Sequence, residues 1–270
     1  MQLFTVIFIF FIGISNIDAK KYRLDSKHAR KIAIDAYIYG YSLITSEITR
    51  VQMTNVDKPE TAKAPMAQFI TMRQYPSANF RSVTAPNADT LYSVAWLDLN
   101  DEPWIFSHPN MTDRFYLFPM SDLWMNIIDS PGTRTAGTAA ATYLITGPKW
   151  NGTLPSEVEQ QITKRIHSPT RYLVILGRTY CLGTPKDYEA VHRLQDEYSL
   201  RPLSAFTKTK AFIPKIEVDR NPGFSMTDKV RDVINNMNIT TYFNMLTTLM
   251  KVSDVFLKDV CRLLRIRKSL

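Results

Sequence analysis

The sequence predicts an α+β protein, mainly β: an antiparallel β-sandwich-like domain with an N-terminal helix and C-terminal helices. Three observations carry this reading. Residues 26–54 place apolar side chains on one helical stripe. From about residue 67 to 181, short runs rich in Tyr, Phe, Val, Ile and Trp are broken by Asn, Asp, Gly and Pro. After residue 183 the helical spacing returns. Short polar turns between successive runs favour antiparallel pairing, because each parallel pair needs a long crossover.

The N-terminus comes first. "LFTVIFIFFIGI" (Leu3 to Ile14) is apolar and uncharged, and polar residues and Ala19 follow it. It is short for a membrane span, which takes about 20 apolar residues, so residues 1–19 read as a secretory signal peptide cut near Ala19. No Lys or Arg precedes the apolar core, so an uncleaved membrane anchor is the alternative. The predicted location is secreted or extracytoplasmic, with membrane association only if the segment is retained.

Residues 20–66 form the predicted N-terminal helix and linker. Ala29, Ile32, Ala33, Ala36, Gly40, Leu43, Ile44, Glu47 and Val51 share one stripe, Asp25 or Ser26 can cap the start, and Pro59 and Pro65 mark the linker. Residues 67–204 form the predicted β-rich domain with short helices. Its candidate strands are 68–74, 90–99, 103–108, 114–120, 122–129, 141–147 and 171–181, with a short helix over 156–165. A second helix follows Thr184 as cap and Pro185 in the first turn, with Tyr188, Val191, Leu194 and Tyr198 as its inner stripe. Residues 205–270 read as a proline-punctuated extended segment and a helical tail, with amphipathic helices over 227–238 and 240–266.

Composition narrows the function classes. The chain is 45% hydrophobic and 21% charged over 270 residues, which is ordinary for a globular protein. Loss of Asp18 with the leader leaves 33 basic residues against 24 acidic ones, a net charge of +9. That excess is densest in the last segment (Lys251, Lys258, Arg262, Arg265, Arg267, Lys268), where a solvated helix face accounts for it. No nucleic-acid motif accompanies it, so no nucleic-acid partner is expected. His28, His108, His167 and His192 lack metal-ligand spacing. No glycine-rich phosphate loop or Gly-x-Ser-x-Gly elbow occurs, so neither a metal nor a cofactor is expected.

Cys181 and Cys261 allow one bridge in an oxidising compartment, and two buried free thiols fit the sequence equally well. Asn110-Met-Thr112, Asn151-Gly-Thr153 and Asn238-Ile-Thr240 are glycosylation sequons, active only in a glycosylating lumen.

The residues that can carry chemistry are polar side chains set among strands. In "PNADTLY", Asn87 and Asp89 either cap the start of a strand or face a ligand, with Thr90 and Tyr92 beyond them. In "DLWMNIID", Asp122 and Trp124 share a face. Arg134 lies in a Gly-flanked turn between Thr133 and Thr135, where it can hold a carboxylate or phosphate, or pair with Asp89 or Asp122. Arg178 interrupts an otherwise apolar strand and needs a partner if buried. Two arginines and two acids therefore define one candidate polar cluster, either a functional site or a structural network.

"AYIYGY", "PNADTLYSVAWLDL", "SPGTRTAGTAAATYLITGPKW" and "SPTRYLVILGRTYCLGTPKDYEAVHRLQDEYSL" occur in that order over roughly residues 30–204. Together they resemble the domain of unknown function 1254 family. The tail "NMNITTYFNMLTTLM" resembles the connecting helices that precede a second β domain (domain of unknown function 1214), which this sequence is expected to lack. The resemblance implies a β-sandwich-like domain flanked by helices, often exported or envelope-associated. It implies no reaction, cofactor or catalytic residue. It marks Asn87, Asp89, Thr90, Tyr92, Arg134 and Arg178 as family signatures.

Three functional readings follow. The leading one is an exported ligand-binding or surface domain whose partner is an unknown small molecule or protein. The second is a hydrolase with Asp89 or Asp122 as general base and an arginine stabilising an anion. The third is a glycosylated coat or interaction module.

Overall fold

The computed structural model describes residues 26–79, 87–111, 114–206 and 216–251. The chain divides into two compact units, one of Met1–Thr49 with Gly223–Leu270 and one of Arg50–Pro222.

Among the described residues of the second unit, ten strands form two sheets, mostly antiparallel. The first sheet has the order β1-β2-β9-β5-β6: β1 (Ile70–Thr71), β2 (Thr90–Asp98), β9 (Tyr172–Tyr180), β5 (Met120–Asp122) and β6 (Ile127–Asp129). Strand β4 (Tyr116–Leu117) also pairs with β9. The second sheet has the order β10-β3-β7-β8: β10 (Ser199–Pro202), β3 (Trp104–His108), β7 (Ala141–Thr146) and β8 (Lys164–His167).

Alternation along the strands builds the core. Leu97, Met120, Leu173 and Ile175 from one sheet meet Phe106, Tyr143, Ile145 and Ile166 from the other, all buried. Each such side chain contributes about 1.5–3 kcal/mol on leaving water. This is the α+β, mainly β sandwich expected from the sequence.

Four details differ from the sequence reading. Residues 156–165 are not one helix: α2 (Ser156–Glu159) is a single turn, and β8 begins at Lys164. Only Ile166 of β8 is buried, so its charged residues conceal an edge strand. Strand β8 runs parallel to β7, contrary to uniform antiparallel pairing, and residues 147–163 supply the crossover. The candidate strand 122–129 is a hairpin arm broken by a turn, in which Met125 adopts φ +65°. β10 falls where the sequence showed only a helix end and an extended segment.

Helix α1 (Ser26–Thr54) and helix α3 (Pro185–Asp196) match their sequence signals, and the Asp187 N–H donates to Thr184 Oγ1 at 3.3 Å. On α3, Val191 is buried as expected, whereas Tyr198 lies beyond the helix. The buried Gln195 joins the inner face instead. Its Nε2 donates to Met72 O and Ser93 Oγ, both at 3.2 Å, which pins the helix to β1 and β2. A one-turn helix, α4 (Leu203–Phe206), follows β10.

In the other unit, α5 (Val230–Asn236) and α6 (Ile239–Lys251) follow Gly223. Tyr242 donates its hydroxyl to Tyr37 O at 2.7 Å, and Gly40 lies against Leu246. The remainder of the helix expected to residue 266 lies outside the described residues. Among the described residues, no helix is long and apolar enough to cross a membrane.

Candidate functional site

Strand β9 presents Leu173, Ile175, Gly177 and Thr179 to the sandwich interior, so Val174, Leu176, Arg178 and Tyr180 point outward. The register sets Arg178 between Tyr92 of β2 and Leu117 of β4, and Tyr180 opposite Thr90. On its other side, the Tyr180 N–H donates to Phe115 O at 2.9 Å. This end of the outer face therefore carries Tyr92, Arg178, Tyr180, Leu117 and Phe115. Phe115 and Tyr180 are each 40% exposed, which is unusual for aromatic rings on a sheet and leaves them open to a partner.

Two guanidinium groups lie on these rings. The Arg178 Cζ is 4.9 Å from the Tyr92 ring centroid, and the Arg134 Cζ is 5.7 Å from that of Phe115. Among the described residues neither arginine pairs with a carboxylate. The Nε of Arg178 is buried without a hydrogen-bond partner. An unmet buried donor costs about 1–3 kcal/mol, more when charged, so its retention calls for a reason. A guanidinium over a ring can still offer terminal N–H groups to a planar or tetrahedral oxyanion.

The structure does not join the two acids to these arginines by ion pairs. Asp122 is 2% exposed and fully occupied by the turn it closes. Its Oδ1 accepts from the N–H groups of Trp124 and Asn126, both at 2.9 Å, and its Oδ2 from Asn126 Nδ2 at 3.0 Å. Both carboxylate oxygens are thus spent on structure, and Trp124, half-buried, is the next residue but one of the same turn. Asn87 is a strand cap: its Oδ1 accepts from the N–H groups of Asp89 (2.9 Å) and Thr90 (2.7 Å) and from the Thr90 hydroxyl (3.1 Å). Asp89 is exposed, and its carbonyl takes the Cys181 N–H at 3.0 Å. Of the eight candidate residues, Tyr92, Arg134 and Arg178 belong to the arginine–aromatic face. Asn87 and Thr90 shape its edge.

Phe115 and Tyr180 escaped the sequence reading. The signal was present in the alternation of 115–118 and 176–180, once the strands were known to pair.

Elsewhere polar groups serve the fold. Arg114 and Asp187 form a bidentate pair, and Asp187 also accepts the Leu182 N–H at 2.6 Å. Arg114 holds the Asp187 carboxyl down at about 2. Inside the sandwich, buried His108 sits among Tyr116, Phe118 and Tyr143, with Nδ1 2.8 Å from Pro109 O. Burial lowers its pKa, partly offset by that carbonyl. Cys181 is a buried free thiol pushed up by burial, and Cys261 of the possible bridge lies outside the described residues. Among the described residues no three His, Cys, Asp or Glu side chains are grouped to hold a metal ion. The sequon asparagines Asn110, Asn151 and Asn238 are all exposed.

Comparison with known proteins agrees with the fold and adds no chemistry. The crystal structure of the VPA0106 protein from Vibrio parahaemolyticus is similar, with a TM-score of 0.56 and 21% sequence identity. The match covers 83% of this chain and 52% of that one, so this chain spans about half the length of that relative. No curated protein matches the sequence. The model of a protein family of unknown function, DUF1254, matches residues 66–202, half of the chain and the whole of the sandwich. The chain therefore belongs to the DUF1254 family.

Proposed function

We propose that this is an exported ligand-binding domain that takes a small anionic molecule on the outer face of the first sheet, at the Arg178 end. The observation that carries this reading is Arg178 itself. It lies over the Tyr92 ring, lacks a carboxylate partner among the described residues, and leaves a buried Nε unmet. Arg134 on Phe115 supplies a second cation, and Tyr180 an exposed ring against which an apolar or sugar-like body can rest. Export is supported by the apolar leader at Leu3–Ile14, which lies outside the described residues.

The test is a thermal-shift series on the chain without residues 1–19, using inorganic phosphate, citrate, glucuronate and neutral glucose. A specific anion at a hundredfold excess over Kd stabilises by about 2.7 kcal/mol. That corresponds to a Tm rise of several degrees for a domain of this size. The rise disappears in Arg178→Ala and is reduced in Arg134→Ala. Equal shifts in wild type and Arg178→Ala, or no shift with any anion, would overturn the reading.

A further inference from the structure

The three sequons are not equivalent once folded. Asn151, Gly152 and Thr153 are all exposed and lie in a stretch without regular structure. The residues on either side are anchored: Trp150 and Leu154 both pack against the cluster of Ile105, Leu144 and Val158. The Trp150 N–H closes a turn onto Gly147 O at 3.2 Å, and Gly152 lies so close to the indole that a Cβ would come 3.1 Å from Trp150 Nε1. The tripeptide is thus a short loop held out from the body by two apolar feet.

The other two are tied into the fold. The residue after Asn110, Met111, is fully buried, and its N–H is bound to Thr138 O at 2.7 Å. Asn238 caps α6, its Oδ1 accepting the Thr240 N–H at 2.8 Å and its carbonyl the Tyr242 N–H at 2.9 Å.

Position matters as well. Gly147 is pressed against Leu99 O, just past the end of β2. Thr90, at the other end of β2, borders the arginine–aromatic face. Nine residues of strand at about 3.3 Å each separate the two ends, on the order of 25–30 Å. The Asn151 loop, four residues after Gly147, thus leaves the fold from the end of β2 opposite to Thr90.

We propose that Asn151 carries an N-linked glycan. The inference rests on the export part of the proposed function and is independent of anion binding. The donor is a polyprenyl-diphosphate-linked oligosaccharide. The Asn151 Nδ2 forms a bond to the sugar C1 and loses a proton, the C1–O bond to diphosphate breaks, and the lipid diphosphate leaves. Thr153 supplies the hydroxyl that defines the sequon.

The experiment translates the full chain with microsomes, from its own leader and from a strong heterologous leader, and scores only protease-protected product. In the Asn110→Gln/Asn238→Gln background, the protected chain gains the mass of one oligosaccharide, which a peptide-N-glycosidase removes. Asn151→Gln and Thr153→Ala abolish the gain, and Thr153→Ser retains it. Protected chain without the gain, or a gain that survives Asn151→Gln in that background, would overturn the proposal. Modification under the heterologous leader with no protection under the native one refutes export, and with it a glycan on the native protein, and shows separately that the Asn151 sequon is a competent acceptor.

Discussion

Arg114 and Asp187 lie 73 residues apart and meet through two hydrogen bonds of 3.0 and 2.7 Å. Asp187 belongs to the first turn of α3, and Arg114 leads into β4 beside the arginine–aromatic face. The pair is 16% and 13% exposed, so its charges are largely out of water. Removing one partner strands the other. Asp187→Asn and Arg114→Ala should each cost about 3 kcal/mol. Urea denaturation with a double-mutant cycle measures this, and single and double variants of equal stability loss are the signature of one coupled pair.

The same pair sets an acid limit. Arg114 holds Asp187 at about 2, below its ordinary value of 3.8. A carboxyl lowered on folding stabilises the protein above its unfolded pKa. That contribution drains away as pH falls from about 4 towards 2. Denaturation midpoints between pH 5 and pH 2 should fall less steeply in Asp187→Asn than in wild type.

His108 acts in a different window. It is buried among Phe106, Tyr116, Phe118 and Tyr143, and its folded pKa lies below 6.5. The unfolded chain therefore binds a proton that the folded chain refuses, and stability is lost as pH falls below about 6.5. His108→Phe should flatten stability between pH 7 and pH 5. An unchanged slope in this variant would show that another group governs that range.

Asp122 separates a structural role from a catalytic one. Three donors of one turn converge on its carboxylate. Asp122→Ala should lower stability by about 1–3 kcal/mol through unmet turn N–H groups, while the anion binding proposed at Arg178 should persist in the folded fraction. Loss of anion binding without loss of stability would place Asp122 in the site instead.

Gly40 tests the helical unit. A Cβ at this position would stand 2.6 Å from both Leu246 Cδ atoms. Gly40→Ala should cost about 1–3 kcal/mol by overpacking, a larger effect than the better helix propensity of Ala returns. Leu246→Val in the same chain should recover part of it, as read by the thermal midpoint.

Local rules made much of the fold legible. Helical spacing marked α1, and Thr184-Pro185 marked the start of α3, because capping and periodicity are set by neighbours in sequence. The Asn87 cap belongs to the same class, since its partners are two and three residues away. Strand β8 was illegible, because a charged edge strand with one buried residue has no alternation to see. Its parallel pairing depends on where a crossover returns, which no local pattern encodes.

The sequence by itself determined the sandwich class, the flanking helices, and the polar residues worth weighing. It could not decide which acid meets which arginine, because that pairing depends on strand register over 70 or more residues. Only the tertiary structure gave Asp187 to Arg114 and Asp98 to Arg171, closed Asp122 within its own turn, and left Arg178 on Tyr92 with a buried donor unmet. The physical reason is that desolvated charges are matched by three-dimensional proximity, which strand register and crossovers set and local sequence does not.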